Sequence, residues 1–370
     1  MEETQLSKCV LYTWGANSYG QLGQGHAKDE AEPRRADEGL QTGQIRCITG
    51  GGGHTAVITE SGELLMCGQN HKGQLGLRHT SEVMTFQPCS LPGCRRVQAV
   101  SCGWDFSLIL TNEGQVLACG SNAFGQLGIS PHVTHTAEPL HVKALSESVT
   151  SVAAGLRHAL ARTASGCVYQ WGTGLSSLAK RTLSPQPVPA HLTSKEPCPV
   201  PGLDHVTPQK VAAGSAHCIC LTDRSLLQRE RATDIHSGWT HVIAQTESGR
   251  VFTWGRANYG QLGQTVVTNQ GGESQSDLSS HPTNGPLEVK GLFGATQIAC
   301  GSEHNLAVVG GRIVSWGWNE HGMCGDGSLC DITQPQPIPS LVDSTPLLIG
   351  CGAGHSMALC SIKSNKDSAC

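Results

Sequence analysis

Two short motifs recur along this 370-residue chain, and their period restricts the possible folds more than any other feature. The first is Gly, two residues, His and an apolar run. It occurs as GGGHTAVIT (51–59), GLRHALART (155–163), GSAHCICLT (214–222), GWTHVIAQT (238–246), GSEHNLAVV (301–309) and GAGHSMALC (352–360). GWDFSLILT (103–111) carries Phe106 in place of the histidine. The second motif appears as WGANSYGQLG (14–23), CGQNHKGQLG (67–76), CGSNAFGQLG (119–128) and WGRANYGQLG (254–263). WGWNEHGMCG (316–325) is a weaker copy, and WGTGLSSLAK (171–180) keeps only the Trp-Gly.

Between the two halves lies a glycine turn flanked by apolar residues, as in ESGELLMCG and ESGRVFTWG, which is a hairpin signal. Each repeat then supplies about four short strands: one before the Gly, one after the His, one ending at Trp-Gly and one after Gly-Gln-Leu-Gly. Four-stranded units repeated radially make a β-propeller, so the expected class is all-β. The 46 glycines suit turns with φ > 0 and places where neighbouring blades approach closely. The Asn and Gln of the second motif suit turn-fixing bonds to the backbone. All seven tryptophans fall within these motifs and are expected to be wall residues between blades.

The chain opens on a second half-motif and ends on a first. Strands near 348–360 should therefore pair with strands near 9–30 and close the ring, which removes exposed sheet edges. One interval breaks the period. Counting position 105 for the Phe106 copy, successive histidine positions lie 51 to 63 residues apart, except that His217 and His241 are separated by 24. Between Thr222 and Ser237 stands DRSLLQRERATDIH (223–236), with no glycine turn, Trp-Gly or Gly-Gln-Leu-Gly. It reads as polar linker or short helix. Seven first halves meet six second halves, and 27 to 39 residues are missing relative to the neighbouring intervals. The expectation is a seven-bladed propeller with one blade truncated at about 211–236. The boundaries are an extension at 1–8, a propeller at 9–360 whose truncated repeat is 206–236, and a tail at 361–370. Two origins are open: alternative splicing or an incorrect gene model, or a true six-bladed ring with a modified junction. Either leaves strand 211–222 without its partners.

The net charge of −4 gives no electrostatic footprint for nucleic acid, and no apolar run is long enough to span a membrane. The start, MEETQLSKCV, does not resemble a signal peptide. Seventeen cysteines without a CxxC pair fit free thiols in the cytoplasm or nucleus, buried as small hydrophobes. No motif for covalent catalysis is visible, so no catalytic residue, cofactor or metal is expected. The histidines stand on different blades, too far apart to share one ion. Each is expected to fix a strand end by hydrogen bonding.

Over about 9–360, Gly-Gln-Leu-Gly and Gly-x-x-His at this period resemble the regulator-of-chromosome-condensation repeat family. The segments ITGGGGHTAV, CGWDF, AAGLRHA, SGWTH, CGSEHNLA and SWGWNEHGMCGDG are similar to a branch that regulates secretion. The resemblance implies guanine nucleotide exchange on a small GTPase. The family's exchange-linked loops match Asp105, Glu303 and His304 here, with Arg157, His158 and His241 beside them. The alternative is a non-catalytic scaffold or adaptor for vesicle-tethering components, such as those of exocyst type, or for signalling proteins. Two insertions are candidate partner carriers: 180–201, Pro-rich and extended, and 264–290, polar and Gly/Ser-rich. Chromatin binding is the least expected, because Met1–Lys8 is not a basic arm. The expected state is a monomer.

Overall fold

The computed structural model describes residues 8–93, 95–264 and 285–362; the extension at 1–7, most of the tail and positions 265–284 of the second insertion lie outside them. The chain begins with β1 (Lys8–Gly15) and β2 (Glu30–Arg35). Two complete blades follow: β3 (Ile45–Gly50), β4 (His54–Thr59), β5 (Leu64–Gly68), β6 (Val83–Pro88); and β7 (Val97–Cys102), β8 (Phe106–Thr111), β9 (Val116–Ser121), β10 (His135–His141). The next has β11 (Val149–Ala154), β12 (Ala159–Thr163), β13 (Val168–Trp171), helix α1 (Ser176–Leu183) and a short β14 (Cys198–Pro199). Then come β15 (Pro208–Ala213) and β16 (Cys218–Thr222), followed by β17 (Leu226–Leu227), β18 (Glu230–Ser237), β19 (His241–Thr246), β20 (Val251–Gly255) and β21 (Leu287–Glu288). The last are β22 (Gln297–Cys300), β23 (His304–Val309), β24 (Arg312–Gly317), β25 (Ile332–Pro337), β26 (Thr345–Cys351) and β27 (His355–Ile362).

The strands assemble into six sheets of four or five strands and one sheet containing only β15 and β16. The final residue of each inner strand, from Gly50, Cys102, Ala154, Ala213, Ser237, Cys300 and Cys351, lines one cavity of about 80 Å³. Seven inner strands therefore surround a single axis, although one of the sheets stops after its second strand. Only small side chains occur at this ring of positions, because seven strand ends converge there.

Closure follows the expected scheme. β1 pairs antiparallel with β27 from Lys8↔Ile362 to Gly15↔His355, giving the antiparallel sheet β2-β1-β27-β26 from the two ends of the chain. The core lies between blades. Ala56, Leu64 and Met66 of one blade, for example, pack against Val97, Val100 and Ile109 of the next. The two-stranded sheet keeps such a layer on both sides. Cys218 and Cys220 meet Leu160 and Val168, while Ile219 and Leu221 meet Ile235 and Ala244. This sandwiching keeps the ring continuous despite the missing strands.

Three expectations are corrected. Residues 223–236 are neither linker nor helix. Leu226–Leu227 and Glu230–Arg231 form a hairpin whose turn residues, Gln228 and Arg229, both have positive φ (48° and 73°), and β18 is the inner strand of the following sheet. The truncated sheet itself is thus 208–222. Second, 180–201 is not simply extended: α1 and a 3-10 turn at 190–192 replace the Gly-Gln-Leu-Gly loop of that blade. Third, the interval count belongs on position 106 rather than 105: Phe106 pairs with Gly120 as His54 pairs with Gly68, so Phe106 stands in the histidine's place as its motif indicates.

Candidate functional site

Every Gly-x-x-His loop turns its ring inward. His54, His158, His241, His304 and His355 are fully buried. Each of four of them reaches across a blade boundary to the residue that follows the histidine in the next copy. His54 Nε2 meets Ser107 Oγ at 2.9 Å, His241 meets Asn305 Oδ1 at 2.6 Å, His304 meets Ser356 Oγ at 2.9 Å and His355 meets Thr55 Oγ1 at 2.7 Å. The partner side chain then donates to the first blade's second motif: Ser107 to Gln74 O, Asn305 to Gln261 O, Ser356 to Met323 O and Thr55 to Gln21 O. Each link is thus a two-step latch between neighbours. Where Phe106 replaces the histidine, Ala159 replaces the hydroxyl residue, and the two share one apolar cluster.

The tryptophans close the same boundaries. Trp14, Trp171 and Trp316 are fully buried, and each indole N–H donates to the carbonyl of Met323, Gln126 or Gln261. Asn17, Asn70, Asn122 and Asn319 hold the outer loops by accepting from one backbone N–H and donating to carbonyls about ten residues on. Trp254 is only half-buried, because the sheet before it has no Gly-Gln-Leu-Gly loop.

The latch fails at the truncated sheet. His158 Nε2, the atom that makes the latch bond elsewhere, lacks a hydrogen-bond partner, because the position that holds Thr, Ser or Asn in the other links is Cys218. His217 instead bonds Ser237 Oγ at 2.8 Å. Cys218→Ser is expected to supply the missing partner and raise stability by about 1 kcal/mol, checked by urea unfolding. An unchanged or lower midpoint would show that the hydroxyl does not reach His158.

The residues between Gly and His form a collar at the mouth of the axial cavity. Backbone bonds run from Gly52 N to Gly103 O, Leu156 N to Gly214 O, Ser215 N to Trp239 O, Trp239 N to Ser302 O, Ser302 N to Ala353 O and Ala353 N to Gly51 O. Trp104 and Trp239, from blades on opposite sides of the axis, meet over this collar edge-to-face, with ring centroids 5.2 Å apart. Trp104 is 40% exposed. Further aromatics stand on the neighbouring loops: Tyr19, Tyr259 against Trp318, and Phe124 beneath the Arg157 guanidinium.

The sequence-derived candidates separate into two groups on this face. His158, His241 and His304 point inward, and burial depresses their pKa values to about 4, 4 and 3, so all three are neutral at pH 7, with His241 and His304 serving as latch residues. Asp105, Arg157 and Glu303 hold the position just before the histidine on three different blades. Arg157 is exposed. Burial pushes the carboxyls of Asp105 and Glu303 above the ordinary carboxylate value. Asp105 Oδ1 has no partner, whereas Glu303 Oε2 accepts from Thr240 Oγ1 at 2.6 Å and Gln261 Nε2 at 2.7 Å. Sequence reading assigned Trp104 and Trp239 to blade walls; the structure places them at the mouth. Their position two residues before His or Phe, rather than before the motif Gly, was the available signal.

Comparison with known proteins completes the description. Residues 10–228 match the RCC1-like domain, and residues 248–308 and 310–359 match the regulator of chromosome condensation (RCC1) repeat. The chain is 50% identical to the secretion-regulating guanine nucleotide exchange factor of Bos taurus, with 97% of this chain and 85% of that protein covered. That alignment runs over 395 positions, more than this chain has residues, so it opens gaps here. The Mus musculus counterpart is 47% identical over the same shares. Among solved structures, Prp20p of Saccharomyces cerevisiae superimposes with a TM-score of 0.80 at 22% identity, covering 99% of this chain and 93% of that one.

Proposed function

The chain belongs to the regulator of chromosome condensation repeat family, and on that premise we propose that it is a guanine nucleotide exchange factor for a small GTPase in regulated secretion. The observation that carries the reading is the histidine-loop face: a Trp104–Trp239 pair over the axis, Trp104 exposed and Trp239 half-buried, with Asp105, Arg157 and Glu303 on the same loops. Buried aromatic anchors beside a few polar groups are the composition of binding hot spots. Exchange makes and breaks no covalent bond. The factor need only bind the nucleotide-free GTPase more tightly than the loaded form, and linkage then lowers nucleotide affinity. An acidic side chain at the face, the half-exposed Asp105, can compete for the lysine and cation that hold the phosphates.

One observation favours a second reading, a non-catalytic scaffold for tethering components of exocyst type. Glu303 is already engaged by Thr240 and Gln261 and so is built into the loop rather than offered outward. We place the protein in the cytoplasm, with the nucleus as a second compartment, because the described cysteines are unpaired, and we take it to act as a monomer.

The two readings differ in nucleotide dependence. Capture of small GTPases by the full chain should succeed in EDTA without nucleotide and fail with magnesium and a non-hydrolysable GTP analogue. Trp104→Ala should weaken that capture at least tenfold, or by about 1.4 kcal/mol. Equal capture in both conditions would replace exchange by scaffolding.

A further inference from the structure

β16 is hydrogen-bonded on one side only: among the described residues no strand lies along its outer edge. Its residues Cys218, Ile219, Cys220 and Thr222 are all half-exposed, whereas β4, β8 and β27 are buried over their corresponding residues. His217 O accepts from Gly214 N on the inner side, as His54 O accepts from Gly51 N. Strand alternation then turns the N–H and C=O groups of Cys218 and Cys220 outward, as it turns those of Thr55 and Val57 toward β5.

We propose that this edge is the binding site for an extended peptide strand, which adds antiparallel to β16 as the third strand of the truncated blade with a glycine opposite His217. The complete blades define the occupant. In five of the six the third strand places a glycine opposite the histidine position: Gly68 with His54, Gly120 with Phe106, Gly255 with His241, Gly317 with His304, Gly15 with His355. The two residues matching Leu64 and Met66 must be apolar, because they face the next blade. There they would cover Trp254, as Val251 lies against Trp316 one blade on. The interface layers already formed by Cys218 and Cys220 on one side and Ile219 and Leu221 on the other would simply be extended outward. Charge selects the entering end. Arg224, Arg229 and Arg231 are exposed just beyond β16 and form no ion pair among the described residues, so acidic residues preceding the strand are favoured. Main-chain bonds supply affinity and alternate side chains supply specificity in such strand addition.

The probe is a labelled peptide with the sequence of residues 60–77 of this chain, ESGELLMCGQNHKGQLGL, added to the full-length protein under reducing conditions. Saturable binding by fluorescence anisotropy is expected, with protection of the Cys218 and Cys220 amides from hydrogen exchange. N-methylation at the peptide positions of Leu65 and Cys67, which face Cys220 and Cys218, should weaken binding at least tenfold. Trp254→Ala should weaken it as well, leaving the GTPase capture unchanged. Equal binding of the N-methylated peptide, or no protection at these two amides, would overturn the proposal. So would protection of the same amides without peptide in a sedimenting dimer, since a second copy would then hold the edge.

Discussion

Between pH 6.5 and 5 the protein is expected to lose its fold, and the buried histidines are the cause. Burial depresses His54, His158 and His241 to about 4 and His304 and His355 to about 3. In the unfolded chain each titrates near 6.5. The folded values are the lower ones, so the unfolded state binds more protons throughout this window. The stabilisation is complete above pH 6.5 and is lost as pH falls toward the folded values. Each histidine costs about 1.4 kcal/mol per pH unit, and the five together up to about 7 kcal/mol per unit. A domain stable by 5–15 kcal/mol cannot absorb that for long. Thermal melts at pH 7, 6 and 5 should show a steep fall in Tm. The molecule also carries its own control, because Phe106 and Ala159 replace one histidine–hydroxyl pair. The double variant His54→Phe, Ser107→Ala should fold and lose about one proton from the pH slope. A flat profile from pH 7 to 5 would show that the rings are not held neutral.

Gly352→Ala is expected to destabilise by at least about 3 kcal/mol, with no soluble folded protein as the extreme outcome. Its backbone needs no positive φ. The reason for glycine is space: a Cβ would fall on the His355 imidazole ring, well inside contact distance. That ring cannot retreat, because Nε2 is tied to Thr55 and the ring is wholly buried. The same crowding holds at Gly51, Gly155, Gly214, Gly238 and Gly301, and at Gly103 against Phe106. Gly43→Ala is the comparison, since a Cβ there meets nothing within 4 Å and φ is not positive. Its urea midpoint should move little. Equal effects of the two substitutions would refute the packing explanation.

The repeat made the fold legible because each copy must solve the same problem of joining its neighbour. Trp-Gly, Gly-Gln-Leu-Gly and Gly-x-x-His are the contact points of that joint, so their order also revealed the closure and the short interval. The residue after each histidine was equally visible, and the exchange of His and hydroxyl for Phe106 and Ala159 is written in the sequence. Only the structure shows that the two belong to adjacent blades. Helix α1 was illegible for a different reason. SSLAKRTL is eight residues long and without a side-chain cap, so local propensity is weak and packing decides. The strands in 226–237 were missed because Arg, Glu and Gln obscure alternation. There Arg250, bridging Glu230 and Glu288, ties the polar hairpin to its sheet. Of the site, the loop positions were legible, but the direction in which each side chain points was not.

The pairing of Lys8 with Ile362 separates the order of the genetic message from the order of the solid. Paired strands lie about 5 Å apart, so a few residues could splice these two positions together. New termini could then be cut in the turn at Gln228–Arg229, whose residues are exposed. In such a circular permutant the incomplete blade becomes the end of the chain. The two absent strands could then be appended as a tail, turning an internal gap into a graft point.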